Sequence, residues 1–200
     1  MSDCGCQMEA KHAAQRRALG YLLLINAAMF CLEAFTGVLA HSTALIADSL
    51  DMLADATVYG ISLLAVGRSA ADKTRAAALS GVFQMTLAGL VLVDVLRKLF
   101  WGSHPESALM MGIGLLALLA NIACLWILAR HRQGDIHMRA SWIFSKNDVI
   151  ANLSVIGAGL LVALLQSRLP DLLIGFGIAA LVLWGGVQIL QAARASRLSD

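Results

Sequence analysis

Three aspartates in the apolar stretch 43–67 have the spacing of a joint chemical site. Asp48, Asp51 and Asp55 follow one another at intervals of three and four residues, so a helix with 3.6 residues per turn carries their carboxylates on one face. Carboxylates this close repel one another unless a cation or protons lie among them. The spacing therefore predicts a site for a metal ion or protons, in which Asp48 orients a ligand or holds Asn26 of the preceding apolar stretch.

A second row of polar side chains has the same periodicity further along the chain. Its members are Ser141, Ser145, Asp148 and Asn152. Because they share one helix face, we expect Asp148 to approach the three aspartates, with Ser145 and Asn152 one turn away on either side as oxygen donors. Two separate helices would then supply carboxylates to one site.

Two other acidic side chains stand alone in apolar stretches. An ionisable group inside a membrane span costs about 2.5–3.5 kcal/mol and normally has a polar partner. Asp94 precedes Arg97 and Lys98 by three and four residues, so we expect it to pair with them. Glu33 has no such neighbour in the sequence. We assign neither carboxylate as a metal ligand.

The elements that must position these side chains are apolar enough to lie in a bilayer. Of the 200 residues, 59% are hydrophobic and 14% charged, and the mean hydropathy is +0.76, which excludes a water-soluble domain of ordinary composition. Six apolar stretches have about the 20 residues that a helix needs to cross a bilayer. They cover about 18–40, 43–67, 75–100, 107–130, 138–166 and 171–193. We therefore predict an all-α membrane protein built as a six-transmembrane-helix bundle.

The distribution of charge orients this bundle. Lysines and arginines concentrate in the two tails and in the second and fourth loops, and the positive-inside rule places that side in the cytoplasm. We expect a cytoplasmic N-terminal tail (1–17), a transmembrane domain (18–193) and a short cytoplasmic tail (194–200), with no removable signal peptide. A net charge of +2 without a long basic run excludes nucleic acid as a partner.

Two cysteines lie close together in the N-terminal tail. Cys4 and Cys6 are separated by one glycine, and paired thiolates suit soft metal ions. Two thiols do not fill a tetrahedral site. A role in metal capture and an unstructured tail with reduced cysteines therefore both stay open.

The first two apolar stretches carry the most specific patterns. Residues 26–37 read NAAMFCLEAFTG and match N-x-x-x-F-x-x-E-x-x-x-G, while residues 42–55 read STALIADSLDMLAD and match S-x-A-L-x-A-D-[AS]-x-[HD]-x-x-x-D. Together with Pro170-Asp171 before a glycine-rich last stretch, these patterns resemble the cation diffusion facilitator family of metal/proton antiporters. The resemblance covers about residues 18–193.

This resemblance implies a secondary transporter that exports a divalent transition metal from the cytoplasm in exchange for protons. The metal would be of the zinc, cobalt, cadmium, iron or manganese class, carried as substrate and not held as a cofactor. The resemblance implies Asp51, Asp55 and Asp148 as ligands, but Phe144 occupies the family's fourth ligand position, which holds His or Asp. The open choices for the fourth donor are Ser145, Asn147, Asn152 and water. An all-oxygen set would suit Mn²⁺ or Fe²⁺ better than zinc by ligand preference, although the affinity order favours zinc and copper.

Family members usually append a cytoplasmic metal-binding domain after the sixth span, whereas this sequence ends at Asp200. The resemblance therefore implies a short form, in which a homodimer would form through the transmembrane helices. Small residues at 157–159 and 175–177 allow close helix contacts. We expect them mainly to serve packing within one bundle.

Two other functions stay open beside the transporter. Membrane CDP-alcohol phosphotransferases also have six spans and closely spaced aspartates, in a D-x-x-D-G-x-x-A-R pattern, but here Met52 follows Asp51 and no later aspartate pair completes the pattern. Phe144 and the intramembrane Lys146 favour a relative of the facilitators that has lost transport or changed its cation. The leading hypothesis is a transporter and not an enzyme, with a metal ion, protons and the lipid bilayer as partners.

Overall fold

The computed structural model describes the backbone of residues 3–64, 70–129 and 136–199. Side chains are described for residues 14, 16–63, 74–76, 78–129 and 148–194. Every element in these ranges is an α-helix. The helices are α1 (Asp3–Leu39), α2 (Thr43–Leu64), α3 (Ala70–Trp101), α4 (Ser107–Ala129), α5 (Ile136–Leu165) and α6 (Leu169–Ser199). The predicted all-α bundle of six helices is confirmed.

The first and last helices extend beyond the apolar stretches that predict them. α1 begins at Asp3 and α6 continues to Ser199, so both predicted tails continue as helix. Of the two alternatives for the N-terminal tail, the unstructured one does not apply to the backbone from Asp3 onward. Hydropathy marks only the part of a helix that crosses lipid, and good helix formers such as Ala, Gln, Lys and Arg can prolong it into water.

The outer surface of the bundle is apolar and its interior is partly polar. Large hydrophobic side chains such as Leu79, Phe100, Trp101 and Leu181 are exposed, while several carboxylates and amides are buried. This is the reverse of a water-soluble protein, in which polar groups are mostly exposed. The exposed apolar surface therefore faces lipid, and the chain is a multi-pass membrane protein.

Five of the described helical segments are long and apolar enough to cross a membrane. They are Arg16–Leu39, Thr74–Trp101, Ser107–Ala129, Asp148–Leu165 and Leu169–Arg194. The remaining helix, α2, has 22 residues, or about 33 Å at 1.5 Å per residue, which is also enough to cross about 30 Å of hydrocarbon. Unlike the five segments above, it carries three aspartates.

A tight turn sets α2 against α1. The Ser42 amide donates to the Gly37 carbonyl at 3.0 Å, the His41 amide donates to the Val38 carbonyl at 3.2 Å, and His41 has a left-handed φ of 50°. This is the Schellman pattern that ends a helix. The Ser42 hydroxyl then accepts a hydrogen bond from the Leu45 amide at 3.1 Å and so caps the start of α2. The two helices consequently run antiparallel with only a short link between them.

Helix α2 lies in the centre of the bundle. It contacts α1, α3, α5 and α6, while α3 packs mainly on α6 and α4 mainly on α5. The main apolar core surrounds the first half of α2 and contains Ala44, Leu45, Ala47 and Leu50. The aspartates of α2 are therefore carried on the helix with the most neighbours.

A buried carboxylate of α6 holds the start of α2. Asp171 accepts hydrogen bonds from the Ser42 hydroxyl at 2.6 Å and from the backbone amides of Thr43 and Ala44 at 2.9 and 3.0 Å. The first amides of a helix lack partners within the helix and form its positive end. Asp171 therefore satisfies these amides and fixes the position of α2 against α6.

Candidate functional site

The three aspartates of α2 lie on the side of the helix that faces other helices. Asp48 is fully buried, whereas Asp51 and Asp55 are only half-buried. The predicted placement on one helix face agrees with α2 being a continuous helix over Thr43–Leu64. Asp51 and Asp55 therefore keep some accessible surface, whereas Asp48 keeps almost none.

Helix α5 brings a fourth carboxyl group to this face. Asp148 is 7% exposed, and its carboxyl group is close enough to Asp51 and Asp55 to interact electrostatically with both. One of its oxygens, Oδ2, is buried without a hydrogen-bond partner. The three carboxyl groups that the sequence and the family resemblance single out therefore meet between α2 and α5.

Two amides connect α4 and α5 to Asp48. Asn121 Nδ2 donates to Asn152 Oδ1 at 3.0 Å, and Asn152 Nδ2 donates to Asp48 Oδ2 at 2.9 Å. All three side chains are buried. Asn152 therefore orients Asp48 one turn from Asp51, and its own oxygen already accepts a hydrogen bond. This arrangement makes Asn152 a positioning residue and a poor choice for the fourth donor.

Tyr59 and Asn26 enclose the other end of the row. Tyr59 Oη donates to Asp55 Oδ2 at 3.0 Å across one helical turn. Asn26 Nδ2 donates to the Leu22 carbonyl at 2.9 Å and contacts Cys124 Sγ at 3.7 Å. In the structure the amide of Asn26 thus bonds its own helix and α4, and Asp48 bonds Asn152. Asn26 Oδ1 is buried without a partner.

The two isolated acidic residues have different surroundings. Asp94 Oδ1 lies 2.9 Å from Arg97 Nη2, and Asp94 Oδ2 lies 2.8 Å from Lys98 Nζ, so the predicted pairing is confirmed. Lys98 also donates to the His41 carbonyl and to Thr43 Oγ1, which ties α3 to the start of α2. Glu33, in contrast, is fully buried and neither of its carboxyl oxygens has a hydrogen-bond partner.

The other candidate donors fall on side chains outside the described part of the protein. These are Cys4, Cys6, Ser145 and Asn147, together with Phe144 and Lys146. Among the described residues, no three His, Cys, Asp or Glu side chains have the arrangement of a ready-made metal site. A cation bound to Asp51, Asp55 and Asp148 would therefore require these side chains to move closer together. A separate cavity of about 520 Å³ lies near Ser103 and Arg168 and includes none of these carboxylates.

The arrangement of helices and carboxylates agrees with a family match over most of the chain. Residues 19–196 match the family described as the cation efflux transmembrane domain. The chain belongs to this family. The resemblance to the cation diffusion facilitators is thereby confirmed.

Individual relatives of this cation efflux domain are zinc transporters named ZitB. The chain is 26% identical over 174 residues to the protein of Pectobacterium atrosepticum, an alignment that covers 80% of this chain and 54% of the relative. It is 24% identical over 188 residues to the protein of Escherichia coli strain K12, covering 88% of this chain and 60% of the relative. The chain thus spans less than two thirds of the length of these relatives.

Some contacts in this cation efflux domain are not evident from the sequence alone. Asn121 stands alone in an apolar helix, and only the packing of α4 on α5 brings it to Asn152. Tyr59 continues the helical row one turn beyond Asp55, so the same spacing rule predicts its contact. Asp171 is part of a family pattern, but its role as a cap on α2 requires the placement of α6.

Proposed function

We propose that this cation efflux domain transports a divalent metal ion across the membrane, with Asp51, Asp55 and Asp148 as its ligands. The observation that carries the proposal is the packing of α5 on α2, which brings Asp148 close enough to Asp51 and Asp55 to interact electrostatically with both. Carboxylates drawn from two helices can release their ion when those helices move relative to each other. Alternating access around a fixed site near the membrane midplane needs such a movement.

Protons are the proposed counter-substrate, and the proposed direction is export from the cytoplasm. A carboxylate binds either a proton or a metal ion, so both compete for the same oxygens. Metal affinity should fall as the pH is lowered, because protonation removes the charge that attracts the metal. A higher proton concentration on the far side would then favour metal release there and proton movement inward.

Zinc is the first metal to test. The relatives that the chain matches are named zinc transporters, and zinc also stands high in the affinity order of divalent metals. The donors on the described side chains are oxygens, and Phe144 leaves no imidazole at the family position. For this reason Mn²⁺, Fe²⁺, Co²⁺ and Cd²⁺ belong in the same panel.

The family match supports a transporter over the membrane phosphotransferase considered from the sequence. That enzyme requires a glycine after its second aspartate, and Met52 stands there. Homodimer formation through the transmembrane helices stays a prediction, as does the orientation with both termini in the cytoplasm.

The test uses purified protein in sealed liposomes that contain a zinc indicator and a pH-sensitive dye. Wild-type protein should carry Zn²⁺ inward down its gradient while protons leave. The change Asp148→Asn keeps the size of the side chain but removes its charge. Loss of a residue that only supports a metal ligand typically lowers metal affinity or activity by about 10–100-fold. Loss of a ligand itself should therefore reduce the zinc flux by about 100-fold.

The matched control is Glu106→Gln, which removes an exposed carboxylate in the link between α3 and α4. It should retain the wild-type flux. A wild-type zinc flux in Asp148→Asn would contradict the ligand assignment. Absence of flux for every metal of the panel in the wild type would contradict transport itself and favour a relative that has lost it.

A further inference from the structure

Glu33 is the one fully buried carboxyl group in the described part of the chain for which neither oxygen has a hydrogen-bond partner. The side chain of Glu33 is 0% exposed, and both Oε1 and Oε2 are without a donor. A carboxylate removed from water needs hydrogen bonds or a positive charge to replace its hydration. Glu33 is not one of the ligands proposed above, so its burial without a partner needs a separate explanation.

The packing of α1 on α2 shows where Glu33 points. One turn after Glu33, Gly37 packs so closely on α2 that an added Cβ would lie 2.9 Å from Ile46 Cγ1. One turn before it, Met29 packs in one apolar cluster with Met52. Because the helices run antiparallel, Glu33 faces the segment of α2 between Ile46 and Met52. That segment contains two aspartates.

These aspartates are the charged groups that act most strongly on Glu33. The Glu33 carboxyl interacts electrostatically with Asp48 first and with Asp51 second. Asp48 in turn is held by the amide of Asn152 at 2.9 Å. Three acidic side chains from α1 and α2 therefore lie near one another, and one of them is fully buried without a partner. As at the first site, they would have to move closer together to hold one ion.

The cluster is displaced along α2 from the site built with Asp148. Asp48 lies two turns from Asp55 towards the start of α2, on the side of the link with α1. Asp51 lies between them and interacts with both Glu33 and Asp148. An ion that leaves Asp55 and Asp148 towards the start of α2 would thus meet Asp48 and Glu33 next.

We propose that Glu33, Asp48 and Asp51 form a second binding station for a divalent cation, next to the site of Asp51, Asp55 and Asp148. The inference rests on the proposed transport function and extends it to two ion positions that share Asp51. Oxygen donors alone suit a hard or borderline divalent cation. In the proposed orientation the second station lies on the side where the ion is released.

The experiment counts Zn²⁺ ions bound to purified protein in detergent by equilibrium dialysis. All proteins carry Cys4→Ser and Cys6→Ser, so that tail thiols bind no zinc. We expect about two ions per chain in this background, with affinities that fall at lower pH. Glu33→Gln keeps the shape of the side chain, and we expect it to bind about one ion fewer while the remaining ion still depends on Asp148. Glu106→Gln serves as the control and should bind as many ions as the background protein.

Several outcomes separate this inference from the transport proposal. If Glu33→Gln binds as many ions as the background and transports zinc at the same rate, a permanently protonated Glu33 explains its burial and the second station is refuted. Loss of every ion in Glu33→Gln would also refute it, because Glu33 would then belong to a single site. If the background binds no zinc and Asp148→Asn changes nothing, the transport proposal fails instead.

A second variant guards against misfolding of Glu33→Gln. Asp48→Asn retains the side chain that Asn152 contacts, and it should lose the same one ion. If Glu33→Gln elutes as an aggregate, the ion count of Asp48→Asn decides the question. Two ions in Asp48→Asn would overturn the second station, and one would support it.

Discussion

At the scale of single residues, the carboxylates of the helices have two distinct kinds of surroundings. Asp171 accepts three hydrogen bonds at the start of α2, and Asp94 pairs with two cations. These groups are satisfied and hold helices together. Asp148 and Glu33 keep oxygens without a donor, which is the condition expected of groups that exchange protons or cations. Among these four carboxylates, hydrogen bonding therefore distinguishes the two that hold helices together from the two that we propose as ion ligands.

The structural role of Asp171 can be tested by Asp171→Asn. One oxygen becomes an NH₂ group that cannot accept from the α2 amides, so a buried donor is left without a partner. Losing such a bond to a charged group costs about 1–3 kcal/mol of the free energy of unfolding. Thermal unfolding in detergent should show a lower midpoint for Asp171→Asn than for the exposed control Glu106→Gln. Equal midpoints would show that the cap contributes little to stability.

The contact of Asp94 with Arg97 and Lys98 was predictable from sequence because both partners lie one turn away on the same helix. Asp48 and Asn26, in contrast, lie on different helices. For two residues on different helices, their separation in the sequence does not determine the distance between their side chains. The partner of Asp48 is decided by the packing of α5 against α2, which brings Asn152 within 2.9 Å.

At the scale of elements, glycines decide how closely α6 approaches α2. A Cβ added at Gly175 would lie 2.8 Å from the backbone carbon of Thr43 and 2.9 Å from the Ala44 amide nitrogen. Backbone atoms cannot move aside as a flexible side chain can. Gly175 therefore allows the approach that lets Asp171 reach the start of α2.

The variants Gly175→Ala and Gly177→Ala form a matched pair. The first should push α6 from α2 and reduce the free energy of unfolding by about 1–3 kcal/mol, as overpacking does. The second meets nothing within 4 Å and should be neutral or slightly stabilising, because alanine favours the helix. Thermal unfolding midpoints in detergent measure both. A Gly175→Ala midpoint equal to that of Gly177→Ala would contradict this packing.

The pattern of small residues predicts close contacts but not which glycine makes them. Gly159 packs on Met110 and Met111, whereas Gly157, two residues away, has open space around it. The expectation of packing within the bundle thus holds for Gly159 and Gly175, and for Ala158 in the main core, but not for Gly157 or Gly177. Which member of each pair faces another helix depends on the rotation of the helix, and this is set by its partners.

At the scale of the whole molecule, an apolar surface surrounds a polar interior, and the charge distribution predicts its orientation. The test uses a background without native cysteines. His104→Cys lies in the link between α3 and α4, and Arg16→Cys lies where the apolar segment of α1 begins; both positions are exposed. The positive-inside rule places Arg16 in the cytoplasm. A membrane-impermeant thiol reagent should label His104→Cys in intact cells and Arg16→Cys only after permeabilisation. The opposite labelling would reverse the proposed direction of transport.

The sequence alone determines where the helices lie and which residues share a helix face. The apolar stretches predict six helices, and the spacing of Asp48, Asp51 and Asp55 predicts that they share a face, because the 3.6-residue period of a helix holds in any surroundings. Only the tertiary structure decided which groups from other helices meet that face. It brought Asp148 to Asp51 and Asp55, and it left Glu33 buried against the row without a partner. Distances between helices depend on side-chain packing and helix rotation, and these are properties of the assembled bundle.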